Sequence, residues 1–235
     1  MDSRATRRNL LRLLAVAPLL SACGGPSVLR EAALLPVSPE GFPSQLPAPA
    51  LPVGAEWRYR IRAVLTGLTT DQVRYRVSAV DANGYEITGV SQTDGPFEAR
   101  YDRDLNPVRS RNVAFQPAYP RYSFPLAIGK MWRTTVRTTV VGDSGQGTLL
   151  QDVSAAVRGW ERVTVPAGIF TALRIDLAIN WQNSAFATER GNSTEAFWYA
   201  ANVRNAVFHH RTDYSEGRIV TNNVVTELES FKVGG

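Results

Sequence analysis

The chain predicts an all-β protein, built as an antiparallel sandwich, a barrel or a strongly curved sheet of about a dozen strands. Three observations carry that expectation. Apolar and polar side chains alternate strictly over several segments, glycine-containing turn signals separate those segments, and no segment shows a convincing helical period.

The first alternating segment is Trp57 to Val64, which sets Trp57, Tyr59, Ile61 and Ala63 on one face and Arg58, Arg60 and Arg62 on the other. Val73 to Val77 repeats the pattern. Asn83-Gly84 then supplies a hairpin turn into Tyr85 to Val90, because both residues tolerate positive φ. Asp94-Gly95 precedes Phe97 to Asp102. Further strands are expected at Val108 to Phe115, Trp132 to Val141, Thr148 to Val157, Trp160 to Val165, Thr171 to Gln182, Ser193 to Tyr199, Ala206 to Tyr214 and Arg218 to Phe231. A flat sheet of that width tends to curl or split, so curvature or closure follows.

The sequence also echoes itself. Leu51 to Arg62 and Leu126 to Arg137 share five of twelve residues, and both contain Gly-x-x-Trp-Arg, at Gly54 and Gly129. This predicts two similar β units offset by 75 residues, against the competing reading of a chance likeness between strands.

Ahead of the β region, Arg4, Arg7, Arg8 and Arg12 form a positive segment, followed by an apolar stretch from Leu13 to Leu20. That is the layout of a cleavable export signal, and it falls well short of the roughly 20 apolar residues a spanning helix needs. Leu20-Ser21-Ala22-Cys23-Gly24 resembles the lipobox of bacterial lipoproteins. The resemblance implies a signal peptide over 1–22, and attachment of diacylglycerol to Cys23, with palmitate as a further chain. It further implies a cell-envelope location, with Gly24 favouring the outer membrane on its periplasmic side. An ordinary secretory signal cut elsewhere is the alternative. Thr6 to Arg12 is also similar to a twin-arginine motif, with the general secretory route equally open. Cys23 is the one cysteine in the chain, so no disulfide framework is available to stabilise it.

Seven of the fourteen prolines fall between Gly24 and Pro52, which predicts a lipid anchor and extended linker over 23–52 ahead of a single β domain over 53–235. The chain carries a net charge of +5. Removing 1–22 takes away four arginines and one aspartate, and +5 falls to +2. The basic balance therefore belongs largely to the signal and gives no argument for nucleic acid as a partner.

Within the β region, Trp160 to Ile175 contains Val165-Pro166-Ala167-Gly168-Ile169-Phe170. It resembles the Val-Pro-Ala-Gly-x-Phe signature of exported bacterial β proteins catalogued as domains of unknown function, some labelled TapB-like. The two Gly-x-x-Trp strands, Phe197 to Ala200 with Val203 to Val207, and Glu227 to Phe231 also match, with Asn205 where glycine is commoner. The motif has a structural reading: Pro166 ends a strand, Gly168 supports the turn and Phe170 re-enters the core. The resemblance implies a fold and leaves activity open.

No catalytic or metal-binding constellation is expected. Gly142-Asp143-Ser144-Gly145 resembles the surroundings of a serine-protease nucleophile, but both histidines follow Ser144, against the order His, Asp, Ser. His209 and His210 are neighbours on a strand, so they point to opposite faces and do not share a metal. Asp102 with Asp104, and Asp213 with Glu216, are carboxylate pairs at strand ends, where solvation is the usual role. Phosphate-cradling loops and dinucleotide fingerprints are absent from the sequence, so no cofactor is expected. One non-catalytic candidate stands out: Arg58, Arg60 and Arg62 beside Arg74 and Arg76 form a candidate anion-binding patch, with a solvated face balanced by acidic neighbours as the alternative. The expected role is a membrane-anchored, non-catalytic module that holds a lipid, a glycan or an envelope protein. A scaffold acting through a sheet edge is the second expectation and a hydrolase the third.

Overall fold

The structure is a computed structural model, and it describes residues 39–142, 145–185, 189–216 and 219–234. The export signal, Cys23, Gly24 to Ser38 of the linker, and Asp143 and Ser144 lie outside the described residues.

Twelve strands form a closed barrel in which each strand pairs antiparallel with its neighbours in sequence, and β1 closes the ring against β12. In chain order they are β1 (Glu56–Ala63), β2 (Thr69–Asp81), β3 (Gly84–Ser91), β4 (Gly95–Asp102), β5 (Pro107–Ser110), β6 (Val113–Gln116), β7 (Met131–Gly142), β8 (Gly145–Val165), β9 (Gly168–Asn183), β10 (Arg190–Ala200), β11 (Asn205–Ser215) and β12 (Val220–Lys232). Of the three expected architectures the barrel is the one formed, and closure removes the two free edges that an open sheet would expose.

Strand alternation sets the two faces. Trp57, Tyr59, Val73, Val77, Tyr85, Ile87, Val153, Val157, Ile175, Leu177, Ile179, Phe197 and Tyr199 are buried, while Arg58, Arg74, Arg76 and Glu98 are exposed. An aromatic and aliphatic interior inside a charged exterior is the reverse of a membrane-spanning barrel, whose outer band is apolar. A twelve-stranded ring is wider than its own side chains fill, since eight strands already leave just enough room for them. Here two non-strand segments enter one end. The connection from β6 to β7 buries Tyr119, Tyr122 and Leu126, and the stretch before β1 buries Leu46 and Leu51. The two segments meet in an isolated antiparallel bridge, Leu46 with Leu126. The packed region therefore begins ahead of Val53, inside the proline-rich stretch.

The internal echo is reproduced in the backbone. Gly54 N–H donates to the Val77 carbonyl, Ala55 N–H to Pro52, and Val77 N–H to Ala55; Gly129 donates to Val157, Lys130 to Ala127, and Val157 to Lys130. Gly54 and Gly129 both have positive φ, 90° and 82°. A left-handed residue also occurs in the β4–β5 and β10–β11 turns, Leu105 at φ 61° and Arg204 at φ 57°. Strands β1–β6 and β7–β12 are thus two six-stranded units of similar design.

Two expected strand boundaries differ. Val108 to Phe115 is two strands, because Arg111 adopts φ 55° and turns the chain. Thr148 to Val157 and Trp160 to Val165 are one strand of 21 residues, because the ladder to β9 steps over Arg158 in a bulge and resumes at Gly159. The Val-Pro-Ala-Gly turn joins β8 to β9 with Gly168 at φ 133°, and Ala167 N–H donates to the Leu228 carbonyl of β12. Phe170 is buried and meets Phe231 edge-on at 6.0 Å.

Candidate functional site

The interior holds a cavity of about 140 Å³, lined by residues of β1–β4 and β10–β12 and by the entering loops. Its walls are apolar or aromatic: Trp57, Tyr59, Ile61, Val73, Ile87 and Phe197 are among them. Tyr59, Tyr75 and Phe97 form an edge-to-face chain with centroid separations of 6.0 and 5.6 Å. The Trp57 indole N–H donates to the Val203 carbonyl and the Tyr59 hydroxyl to Ala206, so both rings are fixed by the β10–β11 turn and the start of β11, one strand beyond β12.

One cation lines this cavity. Arg121 is carried in by the β6–β7 connection, and the residue after it is clamped from both sides by the buried amide of Asn106: Tyr122 N–H donates to Asn106 Oδ1 at 2.9 Å, and Asn106 Nδ2 donates to the Tyr122 carbonyl at 3.0 Å. The Arg121 guanidinium carbon lies 5.9 Å from the centroid of Tyr101 and 5.6 Å from that of Phe197, within cation–π range of both. Its Nε is buried and has no hydrogen-bond partner among the described residues. Nor does Arg121 form a salt bridge within 4.0 Å among them.

Beyond Arg121 the interior turns polar. Glu195 of β10 accepts Arg211 Nη1 at 2.7 Å and the Tyr119 hydroxyl at 3.0 Å on one oxygen, with His209 Nε2 3.3 Å from the other. Burial alone would raise the Glu195 pKa, but the hydrogen bond from His209 and the charges of Arg211 and Arg121 outweigh it and hold the carboxyl down at about 2. His209 stacks on Phe197 at 4.2 Å, and burial pushes it below the usual histidine range despite the carboxylate beside it. Burial likewise raises Tyr59, Tyr75, Tyr119 and Tyr122 above the ordinary phenol value, so all four are neutral donors at physiological pH. His210 faces the other way and bonds to Asn223 at 2.8 Å, as neighbouring strand positions require.

The carboxylate pairs noted in the sequence are engaged in holding loops and strands. Asp102 accepts the Asn106 N–H and Asp104 the Phe124 N–H. Both oxygens of Asp213 accept from the Arg211 Nε–H, with Ser193 and Asn222 completing its bonds, while Glu216 pairs with Arg190. Among the described residues no group of three or more His, Cys, Asp or Glu is placed to hold a metal ion. The residues Asp143 and Ser144 are outside the described set.

The arginine stripe divides. Arg60 and Arg62 both converge on Glu227 of β12, at 2.7 and 2.8 Å, and Arg58 meets Glu56 at 3.3 Å. Burial would raise the Glu227 pKa, yet the hydrogen bonds from Arg62 and Arg60 keep it below the usual carboxylate range. Arg74 lies opposite Arg58 and Arg76 opposite Glu56 across the β1–β2 ladder. Three of the five arginines are therefore paired with acidic neighbours. Arg121, which lines the cavity, carries no periodicity that would have marked it in the sequence. Its only trace there is its setting, a connection far longer than a hairpin loop in which prolines and tyrosines flank a single arginine.

No family model matches the chain, and no curated protein matches it. Similar solved structures exist. An inferred exported protein with a YmcC-like fold from Bacteroides fragilis superposes with a TM-score of 0.50 at 17% identity, covering 81% of this chain and 100% of its own. An inferred lipoprotein from Parabacteroides distasonis gives 0.48 at 16%, covering 80% and 97%. The hypothetical lipoprotein YmcC from Escherichia coli gives 0.45 at 10%, covering 77% and 85%. The first of these places the chain in the same class of fold, an all-β barrel with YmcC-like architecture.

Proposed function

We propose that the chain is an envelope lipoprotein whose barrel interior holds a small, largely apolar ligand. The observation that carries this reading is the cavity: an aromatic-walled space inside a barrel whose exterior is charged, the usual form of a small-molecule site. The signal over 1–22 and Cys23 supply the export and the membrane anchor, with residues 23–52 as tether, of which Leu46 and Leu51 are buried, and 53–235 as the barrel domain. That the Bacteroides fragilis protein is described as exported agrees with an envelope location. Sorting to the outer membrane on the periplasmic side follows from Gly24 after the cysteine. The exposed Arg74 and Arg76 remain available as an outer contact for acidic headgroups. A scaffold acting through an open sheet edge has less support, since the strand ladder closes on itself.

Two measurements test this. The neutral dye phenylnaphthylamine is expected to bind the full chain with a fluorescence rise, and Val73→Phe, which adds a ring to the cavity wall, is expected to weaken it at least fivefold. Dye binding unchanged by Val73→Phe would move the site elsewhere. Separately, Cys23→Ser is expected to abolish metabolic labelling by an alkyne fatty acid and to release the protein from the membrane fraction; labelling that persists would refute lipidation at Cys23.

A further inference from the structure

We propose that Arg121 is an oxyanion-recognition residue, and that the ligand of the interior is an amphiphile with a single carboxylate head and a short apolar body. This rests on the interior being the binding site and adds the chemical class of the occupant.

Three observations converge on it. The Arg121 Nε is buried without an acceptor among the described residues, and a buried charged donor left unpaired is costly. The same residue lines the cavity, which places a cationic side chain beside whatever occupies it. Tyr75 and Tyr101 line the cavity too, and their hydroxyls make no hydrogen bond among the described residues. A donor-only guanidinium with two phenol hydroxyls beside it that can also donate presents a set of donors that complements a carboxylate.

Charge and volume narrow the class. The interior polar cluster sets the cations Arg121 and Arg211 against the carboxylates Glu195 and Asp213, and both carboxylates are bonded directly to Arg211. Arg121 is thus the cation of this cluster without a direct ionic partner among the described residues, and a single such cation matches a monoanion better than a dianionic phosphate. A guanidinium edge donates two parallel hydrogen bonds to the two oxygens of a planar carboxylate. A cavity of about 140 Å³ is close in size to one that takes a single benzene ring. It fits a single-ring aromatic acid or part of a medium-chain acid, with the apolar body against Trp57, Ile61, Val73 and Ile87.

The test uses the full chain carrying Cys23→Ser, which keeps it unlipidated and free of detergent. Decanoate, decanol and decylamine are titrated against bound phenylnaphthylamine at pH 7.5. Decanoate is expected to displace the dye at least tenfold more tightly than decanol, with decylamine weakest. In Arg121→Gln, decanoate and decanol are expected to bind alike, whereas Arg121→Lys retains part of the preference. Equal binding of decanoate and decanol to the chain with Arg121 intact overturns the proposal while leaving an apolar interior site standing. A decanoate preference that survives in Arg121→Gln overturns it as well. Failure of every ligand and of the dye removes both the proposal and the site. Should Arg121→Gln fold poorly, the comparison of the three ligands with Arg121 intact still decides.

Discussion

Glu195 receives two donors on one oxygen and faces His209 with the other, and it is 4% exposed. A carboxylate so placed is ionised in the fold at a pH where the unfolded chain has begun to protonate. Its folded pKa of about 2 lies below the ordinary value of 4.5, so its contribution is full above 4.5 and is lost as pH falls toward 2. His209 acts in the same direction from a higher pH. Its pKa is depressed below 6.5 by burial, so the unfolded chain takes up that proton first and stability declines as pH drops below 6.5. Urea unfolding between pH 7 and pH 3 is expected to show this decline. Glu195→Gln is expected to cost about 3 kcal/mol at pH 7, because it leaves Arg211 half-partnered in the interior, and to flatten the profile below pH 4.5. A variant with the same acid slope as the parent would show that Glu195 is not the group titrating. The opposite orientations of His209 and His210 were legible from strand periodicity alone, but the partner of His209 was not. Glu195 and Arg211 become its neighbours through the pairing of β10 with β11, which no local pattern encodes.

The turns between strands carry the next level of constraint, and they are not equal. At the β2–β3 hairpin, a Cβ on Gly84 would lie 1.9 Å from the Tyr101 carbonyl oxygen and 2.9 Å from the Asp102 Cα, both backbone atoms of β4, and its φ is 152°. At the corresponding β8–β9 hairpin, Gly168 has φ 133° but its nearest neighbour would be a Phe170 ring carbon at 3.9 Å. Gly84→Ala must therefore push β4 away, while Gly168→Ala pays chiefly the strain of the backbone conformation. Expected losses are about 3–4 kcal/mol and about 1–2 kcal/mol, and a thermal scan should place the Gly84→Ala midpoint clearly below that of Gly168→Ala. Equal midpoints would mean that the β3–β4 pairing relaxes at no cost. Asn83-Gly84 and Val-Pro-Ala-Gly were both readable as turns, because asparagine, proline and glycine announce them. Arg111 was not, since arginine has no turn preference. Its left-handed conformation is held from outside, by a contact 4.1 Å from the Phe97 ring centroid and an ion pair with Asp94 at 3.3 Å. The gap left between Val157 and Trp160 misled in the other direction, since the ladder to β9 runs on through it with a bulge at Arg158.

At the scale of the barrel, the two six-stranded units are joined along two seams, β6 with β7 and β12 with β1. The seams differ greatly in extent: β6 pairs through four residues from Val113 to Gln116, whereas β1 meets β12 along its full length from Glu56 to Ala63. The second seam is reinforced on the outside by Arg60 and Arg62 converging on Glu227, and on the inside by the Trp57 and Tyr59 bonds to Val203 and Ala206. Each unit alone would expose both seam edges and one half of the aromatic interior, a combination that favours aggregation. The internal echo was visible in the sequence as Gly-x-x-Trp-Arg, yet it says only that two units resemble each other. That they complete a single core follows from the closing seam, whose partners lie some 170 residues apart, as in Glu56 with Lys232. Cutting the chain between Ile128 and Gly129 is therefore expected to give two fragments that aggregate or remain unfolded when produced apart, and that recover strand circular dichroism and dye binding when produced together. Reassembly should depend on Glu227, with Glu227→Gln weakening fragment association by roughly tenfold, on the scale of a charge-assisted hydrogen-bond pair lost from a partly buried seam. A fragment ending at Ile128 that unfolds cooperatively as a monomer would show instead that each half owns its core, and that the barrel is two domains pressed together.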